Sequence, residues 1–173
     1  MNLAEIVFDR QQIAERVNTL GQQLTSDYTG KQPVLIGILN GAFIFLADLV
    51  RAVDLDLQVD FIRVASYGDA TETSGSVVLS KEPELDLAGR DILLVEDVVD
   101  SGTTIAWLRE YFTTQHAANS VRVCALIDKD ERRTTEVQVD YVGFQLDKGF
   151  IVGYGIDCAQ HYRALPDIWT VKE

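Results

Sequence analysis

Cysteine is scarce in this chain: Cys124 and Cys158 are the two examples in 173 residues. They lie far apart and form no C-x-x-C, which argues against a disulfide framework and against a zinc site. One buried thiol in a strand and one near a loop are expected. Long apolar runs are also lacking. None reaches the roughly 18 residues that a membrane span needs. Residues 1–8 have no basic start followed by a long apolar stretch, so no secretory signal is read. A soluble, cytoplasmic protein is expected. Basic residues are few: 15 Lys and Arg stand against 27 Asp and Glu, a net charge of −12. Such a surface repels nucleic acid and anionic lipid, so neither is an expected partner. No repeat, linker or low-complexity tract breaks the chain, and its length suits one domain, 1–173, with a real core.

What is there is an alternation of apolar strands and helices. Asp9 is placed to cap a helix, with Gln12 completing a capping box, and Ile13, Val17, Leu20 and Leu24 follow at helical spacing. Val34 to Leu39 is a continuous apolar run, which suits a strand covered on both faces. Asn40-Gly41 turns the chain, and a helix is predicted over about Phe43 to Val53. Leu57 to Ser66 reads as a strand, residues 67–75 as a polar, mobile loop, and Ser76 to Ser80 as a return strand. Asp91 to Val95 and Val121 to Ile127 are predicted strands, with a helix over Thr103 to Gln115 between them. Short strands are predicted around Tyr141, Phe150 to Tyr154 and Ile168 to Val171. This order predicts an α/β fold: a mostly parallel sheet with helices on both faces. Ligands in such folds sit beyond the carboxyl ends of the strands.

The segment Ile92 to Thr104 carries the chemistry. Its strand runs into Glu96-Asp97, and adjacent carboxylates there are costly unless solvated, paired or bound to a ligand. Val98-Val99 follows, then Asp100-Ser-Gly-Thr-Thr104 leads into a helix. Gly102 lets the backbone approach a ligand, Ser101, Thr103 and Thr104 offer hydroxyls, and the helix start offers N–H groups. Together they make a phosphate cradle. It is not a Walker loop, because G-x-x-x-x-G-K-[ST] is absent. A phosphorylated sugar fits, with its phosphate in the cradle and its hydroxyls on the acids. The competing reading is a strand–turn–helix with an Asp or Ser cap and a solvated acidic pair.

Ile92 to Thr104 resembles the 5-phosphoribosyl-1-diphosphate motif of the type I phosphoribosyltransferases. The rest of the chain, from about Leu3 onward, is similar to their hypoxanthine–guanine branch. Leu39-Asn-Gly-Ala-Phe43 resembles its diphosphate loop. Val59 to Arg63 with Ser66-Tyr-Gly68 resembles its strand entering the catalytic loop. Ala125 to Lys129 resembles its purine-recognising segment. Phe150 to Asp157, with Tyr162-Arg163, resembles its base-stacking segment.

The resemblance implies the type I fold with a small hood formed by terminal segments. It also implies purine salvage: phosphoribosyl transfer from phosphoribosyl diphosphate to hypoxanthine or guanine, giving IMP or GMP and diphosphate. Asp100 takes the place of the general acid/base at purine N7. Glu96 and Asp97 bind ribose, directly or through metal, and Ser101, Gly102, Thr103 and Thr104 hold the 5-phosphate. Asn40, Gly41, Ser66, Tyr67 and Arg163 serve the diphosphate. Lys129 meets the purine O6, Phe150 stacks on the base, and Ile151 lines its site. Mg²⁺ is the implied cofactor, with Glu96, Asp97 and Asp157 as its protein ligands. A homodimer or homotetramer is implied by analogy.

Read without the family, each of these residues has a plainer role. Asp100 could only cap a helix, Lys129 could be solvated, Phe150 could belong to the core, and Arg163 could lie on the surface. Two positions depart from the family pattern. Asn40 stands where many relatives have a basic residue, and Gly149 where some carry Lys before the aromatic, leaving Lys148 either a shifted equivalent or a surface residue. Two rival functions are a regulatory protein that kept the fold and a phosphoribosyltransferase for another base. The first fits poorly with the retained Asp100 and the acidic charge. Lys129 and Phe150 speak against adenine and pyrimidines, and less firmly against xanthine.

Overall fold

In the computed structural model, which describes residues 2–66 and 77–172, the chain begins with β1 (Asn2–Phe8) and turns at Asp9 into α1 (Arg10–Asp27). The Asp9 carboxylate accepts from the N–H groups of Gln11 and Gln12, and the Gln12 side chain accepts from the N–H of Asp9, each at 2.9 Å. This closed capping box satisfies donors that a helix start otherwise leaves without partners. Ile13, Val17, Leu20 and Leu24 then form the buried stripe.

The next elements are β2 (Val34–Leu39), α2 (Phe43–Ala52), β3 (Gln58–Ser66) and β4 (Val77–Lys81). They are followed by β5 (Asp91–Val99), α3 (Thr103–Gln115), β6 (Ser120–Lys129), β7 (Tyr141–Leu146), β8 (Ile151–Val152) and β9 (Ile168–Lys172). Six strands form one sheet in the order β4-β3-β2-β5-β6-β7. All neighbours are parallel except β3 and β4, which run antiparallel. The expected mostly parallel sheet is therefore the observed one.

The continuous apolar strands have a direct cause in the packing. Leu35, Leu93 and Val95 face α1 and α2, whereas Val34, Ile36, Ile92 and Leu94 face α3. Both faces of the sheet are covered, so alternate residues are apolar on both sides. Among the described residues, no helix is long and apolar enough to cross a membrane.

A second sheet of three antiparallel strands, β1-β9-β8, joins the two terminal segments and forms the expected hood. The sequence predicts no strand at residues 2–8. β1 is mostly exposed and its pairing with β9 is irregular, so it lacks a clean apolar alternation. The expected strand Phe150 to Tyr154 is cut to β8, because Gly153 and Tyr154 take positive φ values of 108° and 51°. The expected loop at 67–75 lies outside the described residues.

Two strands run further than their apolar cores suggest. β5 continues through Glu96 and Asp97 to Val99, paired with β6 up to Val99 opposite Asp128. Its pairing with β2 stops at Gly37 opposite Val95. The acidic pair therefore stands in strand geometry, but on a stretch that has lost β2 on one side. β6 likewise reaches Lys129, opposite Leu146 of β7, rather than ending at Ile127.

Candidate active site

The order β3-β2-β5 makes β2 the point from which the chain goes first to one side and then to the other. Crevices form at the carboxyl ends of strands at such a point. Here the loop after β2 meets the extension of β5. The Leu39–Asn40 peptide is cis, and Asn40 and Gly41 lead into α2. A Cβ at Gly41 would fall 1.7 Å from Asp97 Oδ2, and a Cβ at Gly155 would fall 2.2 Å from the Gly41 carbonyl oxygen. The loop at 40–41 is thus pressed between the Asp97 carboxylate and the turn that carries Gly155. Only residues without a side chain fit this contact, and Gly155 also has a φ of 101°.

Glu96 is buried. Burial, and the neighbouring Asp97 carboxylate, push its carboxyl well above the usual carboxylate range. Asp97 is half-buried and accepts from the Val98 N–H at 2.9 Å. The plain reading of a solvated acidic pair does not describe Glu96.

Beyond β5, Gly102 occupies the N-cap of α3 with a φ of 83° and no side-chain cap. A Cβ there would lie 2.3 Å from the Thr135 carbonyl oxygen. The N–H groups of Thr134 and Thr135 donate to the Ser101 carbonyl at 3.1 and 3.0 Å. The turn is therefore held from below, while Glu96, Val98, Asp100, Ser101, Gly102 and Thr104 line a cavity of about 160 Å³. Thr103 is exposed at the helix start, with its hydroxyl 3.3 Å from that of Thr135.

Asp100 does not cap this helix. Its Oδ1 atom is buried without a hydrogen-bond partner. A carboxylate oxygen in that state carries a desolvation cost that a ligand proton would offset. Asp100 and Val98 also line a second cavity, of about 230 Å³, together with Lys129, Phe150, Ile151 and Asp157. One aspartate thus stands on the wall between the two spaces.

The second cavity decides several of the open alternatives. Lys129 is only 7% exposed, so it is not a solvated lysine. Phe150 is 47% exposed at the cavity wall, so it is not a core aromatic. Ile151 is buried behind it. Lys148 is exposed. Asp157 pairs with Arg163 at 2.8 Å and accepts from the Gln160 N–H at 2.7 Å. Arg163 also donates to the Gly155 carbonyl at 2.7 Å. It is therefore an organising residue of the turn above Gly41, not a free surface cation. Ser66 ends β3, paired with Val77. Tyr67 lies outside the described residues.

Arg133 was not legible as a site residue. It donates to the carbonyls of Asp100 at 2.8 Å, Val99 at 3.2 Å and Lys129 at 3.2 Å, and it pairs with the Asp128 carboxylate. It therefore ties the ends of β5 and β6 together. In the sequence it sits inside Lys129-Asp-Glu-Arg-Arg133, a charge run that reads as a solvated turn. The structure holds a larger cavity of about 530 Å³ between α1, α2 and residues 164–166. Its Arg51 is paired with Asp48 and its Arg10 with Asp167, and it has no unpartnered acid of the Asp100 kind.

A hard cation fits this donor set in a limited way. Asp97 offers carboxylate oxygens beside the 40–41 loop, and Glu96, next to it on β5, lines the smaller cavity. Asp157 is already engaged by Arg163 and Gln160. Among the described residues, no cluster of three or more His, Cys, Asp or Glu side chains is ready to hold a metal. Mg²⁺ suits such a place, because it keeps waters and takes phosphate oxygens from a substrate.

Residues 4–158 match the family model described as a phosphoribosyl transferase domain. The hypoxanthine-guanine phosphoribosyltransferase of Streptococcus mutans is 38% identical over 172 residues, covering 99% of this chain and 95% of its own length. The enzyme of that name from Bacillus subtilis is 40% identical over 171 residues, covering 99% and 94%. A crystal structure of a hypoxanthine-guanine phosphoribosyltransferase from Bacillus anthracis, with a HEPES molecule in its active site, superposes with a TM-score of 0.93. It is 41% identical, and the match covers 99% of this chain and all of that one.

Proposed function

The chain belongs to the phosphoribosyl transferase family, and from that premise we propose that it transfers the 5-phosphoribosyl group of phosphoribosyl diphosphate to hypoxanthine or guanine. The products are IMP or GMP and diphosphate, and the role is purine salvage. The observation that carries this reading is the position of Asp100. It stands between a cavity suited to a phosphate and one suited to a flat base, with a buried carboxylate oxygen that lacks a partner.

The reaction breaks the bond from sugar C1 to diphosphate and forms one from C1 to a purine nitrogen. Positive charge develops on the sugar and negative charge on the leaving group. Ser101, Gly102, Thr103 and Thr104 hold the 5-phosphate through hydroxyls and helix-start N–H groups. Glu96 and Asp97 hold the ribose hydroxyls. The base stacks on Phe150, with Ile151 lining its site and its O6 accepting from Lys129. Asp100 then takes or returns the proton at N7. The two bound reactants are held at neighbouring cavities, which lowers the entropic part of the barrier.

Asn40, Gly41 and Arg163 serve the diphosphate end, with Ser66, at the end of β3, and Tyr67 adding to it. Mg²⁺ is the implied cofactor; Glu96, Asp97 and Asp157 would hold it, and it would supply positive charge to the leaving group. The family resemblance supports a single domain over 1–173 and a homodimer or homotetramer. A charged sugar phosphate does not cross membranes unaided, which supports a cytoplasmic setting.

The test is diphosphate release from phosphoribosyl diphosphate. Release that requires added hypoxanthine is expected. Equal release with and without a base would make the protein a hydrolase and contradict the reading.

A further inference from the structure

Glu131 sits at the rim of the base cavity and touches two of its walls. One carboxylate oxygen lies 2.8 Å from the Lys129 ammonium and accepts from the Gly149 N–H at 3.3 Å. Lys129, Glu131 and Gly149 all line that cavity. The two ends of the ion pair differ in setting: the Lys129 side chain is 8% exposed and that of Glu131 is 41% exposed. A pair between two exposed side chains contributes little. A buried ammonium is different, because an uncompensated charge in the interior is costly and a counter-charge holds it there.

Gly149 needs a hold of this kind. Its φ is 110°, and nothing lies within 4 Å of where a Cβ would be, so packing does not fix it on that side. Phe150 follows directly and is half exposed. Fixing the Gly149 N–H therefore fixes the approach of the stacking ring.

We propose that Glu131 is a positioning residue for the base: it keeps the Lys129 ammonium turned into the cavity and holds the Gly149–Phe150 segment opposite it. This rests on the reading of the cavity as the purine site. An ammonium has three N–H donors, so pairing with Glu131 leaves others for a purine O6. One carboxylate thus sets both the edge contact and the stacking face.

The experiment compares steady-state constants of the wild-type enzyme, Glu131→Gln, Glu131→Ala and Lys129→Ala with hypoxanthine and phosphoribosyl diphosphate. Gln keeps an acceptor for Gly149 but removes the charge from Lys129. Glu131→Gln is expected to raise the KM for hypoxanthine about fivefold, and Glu131→Ala more, while the KM for phosphoribosyl diphosphate stays within about twofold. A fold weakened in general would move both constants. If neither constant moves, or both move in proportion, the positioning role is overturned. Lys129→Ala separates this from the underlying assignment. A raised hypoxanthine KM in Lys129→Ala, with none in Glu131→Gln, overturns the Glu131 role alone. An unchanged hypoxanthine KM in Lys129→Ala overturns the purine site and the Glu131 role with it.

Discussion

Gly41 faces Asp97 so closely that a methyl group at position 41 would lie 1.7 Å from the Asp97 carboxylate. Behind it, Gly155 meets the Gly41 carbonyl with the same lack of space. Three segments far apart in sequence meet here, with the Asp97 carboxylate the one side chain between β5 and the 40–41 loop. Gly41→Ala is expected to displace Asp97 or the loop by about an ångström and to lower kcat/KM by about 100-fold. Because the contact is in the site and not in the core, the melting temperature should fall only a little. Steady-state kinetics and a thermal melt, run on the same preparation, check both halves.

Asp100 gives the second prediction. Asn keeps its shape but cannot exchange a proton at N7. Asp100→Asn is expected to lower turnover by about 10²–10⁴-fold, the usual contribution of a positioned acid or base. Binding of phosphoribosyl diphosphate, measured by calorimetry, should persist, because the phosphate cradle is intact. Turnover equal to wild type would remove the proton role from Asp100.

Asp60 gives a prediction about stability and pH. It is 7% exposed in β3 and accepts from the N–H groups of Phe61 at 2.7 Å, Glu84 at 2.7 Å and Leu85 at 3.0 Å. Burial pushes its carboxyl up, but those three N–H groups and the Lys81 ammonium outweigh burial, and the net displacement is downward. A carboxyl lowered in the folded state adds stability above its ordinary pKa of about 4, and that stability is lost as the pH falls through the lowered value. Asp60→Asn should therefore cost about 1–3 kcal/mol near neutral pH. The gap from wild type should narrow as the pH drops below about 4. Urea melts at a series of pH values measure it; a constant gap would contradict the argument.

Metal dependence follows from the shortage of protein ligands. With Asp97 as the acid that meets the 40–41 loop, a cation would be held largely by the substrate's own phosphates. Excess chelator should abolish turnover, and added Mg²⁺ should restore it. Metal-free protein should melt at nearly the same temperature as protein with Mg²⁺ when no substrate is present, since the site binds the ion weakly alone. Full turnover in chelator would refute the dependence.

The sequence was most readable where one physical rule acted alone. The α1 cap and stripe were legible because Asp9, Gln12 and the apolar spacing all say the same thing. The sheet was legible because strands buried on both faces are apolar throughout. β1 was not, because an exposed strand at the edge of a small sheet needs no such pattern. The ends of β5 and β6 were misplaced for a related reason: Glu96, Asp97 and Lys129 are polar residues kept in strand geometry by the neighbouring strand. At the site, Asp100 and Lys129 were found through motif resemblance. Arg133 and Glu131 were missed because a charge run gives no sign of which members are buried or whom they meet. The Gly41–Asp97–Gly155 stack was half visible: each glycine was in a quoted motif, but their contact is a property of the fold.

The central claim is the identity of the acceptor. The most direct measurement is a spectrophotometric assay with phosphoribosyl diphosphate and Mg²⁺ against hypoxanthine, guanine, xanthine and adenine in parallel. Nucleotide formation from hypoxanthine, guanine or both, with none from adenine, is the expected result. Conversion of adenine, or of no purine at all, would contradict it.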